Sequence, residues 1–191
     1  MAASLSLDQG LGAILSLLKR YRWWPMSRLD SSVRRHGLLK TNKLDGVFFA
    51  RENSMISNGR PTVVLADDHE RVRNRVAELL GAECCIVASV NDGHLSVEAA
   101  ERFKPDLIIL DISMPSLDGI QAAQEIRRRG LACKIIFLTV QEDADYVQIA
   151  NQMGASYVLK ARMHVDLPLA IKAVLAEGMF VSSFSASGVI R

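Results

Sequence analysis

The stretch VVLADDHE, residues 63–70, is an apolar run, Val63 to Ala66, that ends on two adjacent carboxylates, Asp67 and Asp68. A strand with one wet face alternates apolar and polar residues. A strand buried on both faces is apolar throughout and stops at a turn. This run reads as the second kind. Two acids side by side at its end repel each other, so they either stand in water or share a cation.

The same pattern recurs from Pro61 onward. Short apolar stretches predict strands over 62–66, 84–89, 107–110, 135–138 and 157–159. Helical spacing predicts helices over 69–80, 94–103, 119–129, 143–153 and 166–177. In the first helix Val72, Val76, Leu79 and Leu80 share a face, with Arg71, Arg73, Arg75 and Glu78 turned outward, and Gly81 closes it. In the third, Ile120, Ala123 and Ile126 form the apolar side and Gly130 follows; Asp106 marks the entry to the third strand. Strands alternating with helices imply a parallel sheet covered on both faces, because right-handed crossovers place helices on both sides.

In such sheets function gathers at the carboxyl ends of the strands. Here the first strand ends in Asp67 and Asp68, the third in Asp111, the fourth in Thr139 and the fifth in Lys160. The second ends in Ser89 and Val90, with no evident chemistry. Neighbouring strands lie ~4.8 Å apart, so Asp111 can meet the acidic pair if the first and third strands are adjacent. Two carboxylates ~4 Å apart repel by ~4 kcal/mol at an effective dielectric of about 20, and a third makes a cation necessary. Oxygen donors without suitably spaced His or Cys favour a hard ion, Mg²⁺. A lysine and a hydroxyl beside that ion supply positive charge and donors to a transferred phosphoryl group, with one aspartate as nucleophile. A lone acid after a strand is ordinarily a turn residue or helix cap. Four strand ends with fitting chemistry, in order, carry the phosphoryl reading.

The 191 residues, 49% hydrophobic and 23% charged, describe a soluble globular chain with room for one ordinary domain and an appendage, or two very small domains. No apolar stretch approaches the ~20 residues of a membrane span. The cations Lys19, Arg20 and Arg22 follow the apolar patch at 11–18, an order that argues against a secretory signal. Cys84, Cys85 and Cys133 include no C-x-x-C and read as reduced thiols of a cytosolic protein, the adjacent pair inside the second strand. Residues 1–60 carry ten Lys and Arg against four Asp and Glu, a net +6; the rest carry thirteen against seventeen, a net −4. Opposite balances point to two origins or two roles along one chain.

The paired acids, the segment LDISMPSLDG (110–119), the threonine and the lysine make residues 61–182 similar to the receiver domain of bacterial two-component response regulators. The stretch LADDHERVRNRVAELL resembles the subgroup whose receivers precede a LuxR-type helix-turn-helix domain. The resemblance implies a doubly wound α/β fold, with five parallel strands in the flavodoxin-like order 2-1-3-4-5 and helices on both faces. It implies that Asp111 accepts a phosphoryl group from a histidine kinase or phosphotransfer protein. Asp68, Asp111 and the backbone carbonyl of Ser113 would bind Mg²⁺, with Asp67 acting through water. Lys160 would contact the phosphoryl group, Thr139 would move toward it, and Tyr157 would rotate inward as the switch aromatic. The implied setting is cytoplasmic, and dimerisation through the fourth and fifth elements is the self-association it allows. After Gly178 only MFVSSFSASGVIR follows, short of the ~60 residues of a small domain, so no nucleic-acid contact is expected from this chain alone.

Three other readings stay open. An aspartate-nucleophile phosphatase of the haloacid dehalogenase type wants a second acid two residues after its nucleophile, where Ser113 stands. A flavodoxin-like cofactor binder wants a phosphate loop after the first strand, where DDHE would repel phosphate. The third is the receiver half of a transcription regulator whose DNA-binding domain lies elsewhere. His69 reads as a surface residue at a helix start and Arg127–Arg128–Arg129 as a solvated helix end; His36, His94 and His164 are scattered. Residues 1–60 read as an extension and 183–191 as a tail. Residues 5–24, ending in Trp23 and Trp24, could form an amphipathic helix suited to a membrane surface or a partner. The favoured expectation is that Met55 is the natural start and that nothing before it is needed to cover the sheet.

Overall fold

The computed structural model describes residues 47–49 and 59–183, which fall within one compact unit, Leu38–Arg191. The strands among them are β1 (Phe48–Phe49), β2 (Thr62–Ala66), β3 (Cys85–Val90), β4 (Leu107–Leu110), β5 (Lys134–Thr139) and β6 (Ser156–Leu159). The helices are α1 (Glu70–Leu80), α2 (Gly93–Phe103), α3 (Gly119–Arg128), α4 (Ala144–Gln152) and α5 (Met163–Leu175), the last preceded by a 3-10 turn, Lys160–Arg162. The amphipathic-helix reading of residues 5–24, the start at Met55 and the tail from 184 lie outside the described residues.

The sheet order is β1-β3-β2-β4-β5-β6, and all pairings among β2 to β6 are parallel. Counted without β1, this is the expected doubly wound order 2-1-3-4-5. Because side chains alternate across a strand, β2 sends Val64 and Ala66 into one core and Val63 and Leu65 into the other. The first core lies with Val97, Phe103 and Ile126, and the second with Val76, Leu80, Leu167 and Val174. Both faces are covered, which is why the strand interiors are almost wholly apolar; each fully buried aliphatic contributes about 1.5–3 kcal/mol. At the entry to β4, Asp106 accepts from the Thr62 amide and hydroxyl, both at 2.7 Å, tying β4 to β2.

The sixth strand was not expected. Phe48 and Phe49 pair antiparallel with Ser89 and Ala88 of β3, and the Phe49 ring stacks on Phe103 at 6.2 Å. Two residues are too few to show a period of two, so their strand character comes from the edge they find. A chain beginning at Met55 is therefore expected to melt lower than the whole, not equally. An aromatic pair is worth about 0.5–1.5 kcal/mol beyond its buried area, and 1 kcal/mol moves the Tm of a domain this size by roughly 2–4 °C. Coincident melting curves for the two chains would show that β1 adds nothing.

Two smaller differences concern local boundaries. Helix α5 begins three residues earlier than the spacing predicts. The 3-10 turn runs straight into it, and Arg162 braces Asp166 across one helical turn at 2.8 Å. Pro168, which reads as a first-turn residue, therefore stands inside the helix. Cys84 is buried but precedes β3, and Cys85, its first residue, is only half-buried; both are free thiols, as is the buried Cys133.

Candidate functional site

β2 lies between β3 and β4, so the crossovers diverge at its carboxyl end and open a crevice there. Backbone hydrogen bonds gather the strand ends: the Asp67 amide donates to the Val90 carbonyl at 3.1 Å and the Asp111 amide to the Ala66 carbonyl at 2.8 Å. Ala66 is in register with Leu110, so the residues that follow them, Asp67 and Asp111, emerge side by side. Both are almost fully buried, at 1% and 2% exposure. Carboxylate oxygens of Asp67, Asp68 and Asp111 and a ring nitrogen of His69 lie within 4.8 Å of one another.

Lys160 leaves the end of β6 and crosses toward these acids. Its Nζ stands 2.7 Å from Asp111 Oδ2 and 2.8 Å from Asp67 Oδ2. Burial disfavours the ammonium, but its close contacts with Asp111 and Asp67 and the charges of both outweigh it, so the Lys160 pKa is raised and its charge retained. Burial pushes the Asp67 carboxyl above its ordinary value, against the opposing pull of Lys160. Asp67 Oδ2 has the ion pair with Lys160 but no well-directed hydrogen bond, while Oδ1 accepts from the His69 amide at 2.8 Å. Asp111 Oδ1 accepts from the Ser113 amide at 3.3 Å. The cluster is thus three carboxylates against one largely buried ammonium, with the exposed His69 ring at its rim. That donor set fits a divalent hard cation.

Thr139 ends β5, the strand between those that carry Asp111 and Lys160, and is fully buried. Its hydroxyl accepts from the Gln141 amide at 3.1 Å. Tyr157, in β6, is also fully buried, and its hydroxyl donates to the Gln141 carbonyl at 2.7 Å. Burial pushes this phenol up to about 12. The ring is therefore already inward in this structure. His69 stands at the N-cap of α1 with an exposed ring, its Nδ1 2.5 Å from Asp68 Oδ1.

Residues 63–171 match the family model for the response regulator receiver domain. The chain belongs to that family. This receiver is 31% identical over 128 residues to the transcriptional regulatory protein DegU of Brevibacillus brevis, covering 66% of this chain and 54% of DegU. It is 40% identical over 117 residues to the transcriptional regulatory protein PdtaR of Mycobacterium tuberculosis, covering 60% and 57%. It superposes on a LuxR-family two-component response regulator from Aurantimonas sp. SI85-9A1 with a TM-score of 0.60 and 28% identity, covering 64% of this chain and 89% of that one. The chain thus spans little more than half the length of the curated relatives it matches.

The receiver also uses residues whose part is not visible in the spacing. Arg73, expected to face outward, is 2% exposed and donates from Nη1 to the Asp67 carbonyl at 2.6 Å. Helix α1 buries Arg73, Val76 and Leu80 as one stripe. The first of these lies under the acidic turn, where a guanidinium finds a carbonyl instead of an apolar wall. Gln141 bridges Thr139 and Tyr157 through its backbone, so its side-chain identity gives no signal. Asp118 caps α3, accepting from the Gln121 amide at 2.8 Å.

Proposed function

We propose that this receiver accepts a phosphoryl group on Asp111 from a histidine kinase or phosphotransfer protein. The observation that carries the reading is the buried Asp111 carboxylate held at 2.7 Å by Lys160 beside a second buried acid, Asp67. An Asp111 oxygen attacks phosphorus; the phosphorus–nitrogen bond of the donor phosphohistidine breaks, and its electron pair leaves with the imidazole. Lys160 neutralises the arriving oxygens, and the Thr139 hydroxyl is the donor that can turn toward them. Asp68, Asp111 and the Ser113 carbonyl would hold Mg²⁺, with Asp67 acting through water. When bound, Mg²⁺ supplies positive charge against the carboxylates and the phosphoryl oxygens.

The new charge draws Thr139 from its bond to the Gln141 amide, and the Gln141–Tyr157 link carries that movement to the surface of α4 and α5. The product is a switched surface, not turnover of a separate substrate, in a protein at work in the cytoplasm. Val165 and Leu169, exposed one turn apart on α5, give that surface an apolar stripe through which the fifth element could pair with a second copy. A second reading, the receiver half of a transcription regulator, is favoured by the relatives' description as transcriptional regulators and by the share of their length matched here.

Incubation of the full chain with acetyl phosphate and Mg²⁺ is expected to add about 80 Da, one phosphoryl group, on the peptide that contains Asp111. EDTA is expected to prevent it. A chain that stays unmodified, or that carries the label on another residue, would overturn the assignment.

A further inference from the structure

Two buried polar side chains lie apart from the acidic cluster and have no part in the chemistry above: Asp166 in α5, at 3% exposure, and Ser182 beyond that helix, at 1%. We propose that they are positioning residues for Lys160, forming a latch that locks the chain after α5 onto the strand from which the lysine departs. The inference rests on the role given to Lys160 in the phosphoacceptor reading.

The latch begins with backbone pairing. The Tyr157 amide donates to the Phe180 carbonyl and the Ser182 amide to the Tyr157 carbonyl, both at 2.8 Å, with Val181 lying parallel to Tyr157. The Phe180 amide donates to the Ser156 hydroxyl at 2.9 Å. The segment Phe180 to Ser182 thus continues the sheet outward from β6, an edge that would otherwise offer bare backbone groups.

Covering an edge needs nothing more, and burying a carboxylate for that purpose would be costly. The side chains do something further. The Ser182 hydroxyl donates its one hydrogen to Asp166 Oδ2 at 2.6 Å and accepts from the Leu159 amide at 3.1 Å. Asp166 also accepts from Arg162 Nε at 2.8 Å and Nη2 at 3.3 Å. Hydrogen bonds from Arg162 and Ser182 hold its pKa below the ordinary value, so it remains a carboxylate.

The anchored amide is that of Leu159, the residue immediately before Lys160, and the anchoring arginine lies two residues after it. Lys160 is therefore clamped on both sides by one carboxylate, acting directly through Arg162 and indirectly through Ser182. Its Nζ must reach Asp111 and Asp67 at once, at 2.7 and 2.8 Å. A backbone free to tilt at Leu159 would give up one of these contacts.

The test uses the full chain and two readouts: the ¹⁵N signal of the Lys160 ammonium, and the rate of phosphoryl uptake from acetyl phosphate at saturating Mg²⁺. Ser182→Ala is expected to broaden the Lys160 signal through faster exchange and to slow uptake about 10- to 100-fold, the scale of a 1 Å misplacement. In a Lys160→Met background the same substitution is expected to cause no further slowing, since it acts through the lysine. An unchanged Lys160 signal in Ser182→Ala, or equal slowing in both backgrounds, overturns the latch. If Ser182→Ala does not fold, Asp166→Asn, which keeps the side-chain shape, is read by the same two criteria. A wild-type chain that takes up no phosphoryl group, yet loses its Lys160 signal on Ser182→Ala, refutes the phosphoacceptor reading and upholds the latch.

Discussion

Asp111→Asn is expected to abolish phosphoryl uptake while leaving the fold intact. An amide oxygen is a far weaker nucleophile than a carboxylate, and the covalent step has no substitute at this place. Asn is nearly isosteric with Asp, so the amide of Ser113 keeps an acceptor and Lys160 keeps Asp67. The substitution also removes one of two buried acids that face each other, which lowers the demand for a cation. Mg²⁺ at a hundredfold excess over its dissociation constant would stabilise a binding-competent chain by about 2.7 kcal/mol. The rise in Tm on adding Mg²⁺ is therefore expected to shrink in Asp111→Asn. The 80 Da adduct, read by mass spectrometry (about one phosphoryl group), and the Mg²⁺-dependent melt check the two halves separately. Labelling that persists in the variant would move the acceptor elsewhere.

Gly119→Ala is expected to damage both stability and phosphoryl uptake, although the residue carries no functional group. A Cβ at this position would lie 2.1 Å from the Asp111 carbonyl oxygen and 3.0 Å from Ile112 Cα. The Gly119 amide also donates to the Ile112 carbonyl at 2.9 Å, so α3 starts directly against the backbone of the acceptor loop. The added methyl must push either the helix or Asp111 aside. Overpacking of this kind costs typically 1–3 kcal/mol, and a shift of ~1 Å at the acceptor can slow the reaction about 100-fold. Gly130→Ala is the control. Its positive φ of 71° strains any L-residue, but a Cβ there meets nothing and the site lies elsewhere. That variant is expected to lose stability, on the order of 1 kcal/mol, and to take up phosphate at the wild-type rate. Gly119→Ala chains with wild-type melting and uptake would show that the contact relaxes at no cost.

The parallel sheet was legible because each of its five strands has an unbroken apolar run, with polar residues confined almost entirely to the strand ends. Only a strand buried on both faces has that composition. The acids were legible because they interrupt that composition at the places where strands stop, and the resemblance to receivers rests on the same residues. Phe48 and Phe49 gave no such signal, since a two-residue edge strand is specified by the strand it meets. Arg73 reads as solvent-facing by its charge, yet it is buried because the Asp67 carbonyl accepts its hydrogen bond.

The order of elements, the apolar strands and the identity of the strand-end residues are local properties, carried by consecutive side chains and readable one after another. Whether Lys160 reaches two acids at once, whether Gly119 can bear a methyl group, and whether Ser182 grips Leu159 depend on residues 7 to 93 positions apart in the chain. Those pairings exist only after the crossovers have closed, because hydrogen bonds and steric contacts act over a few ångströms of space and are indifferent to distance along the sequence.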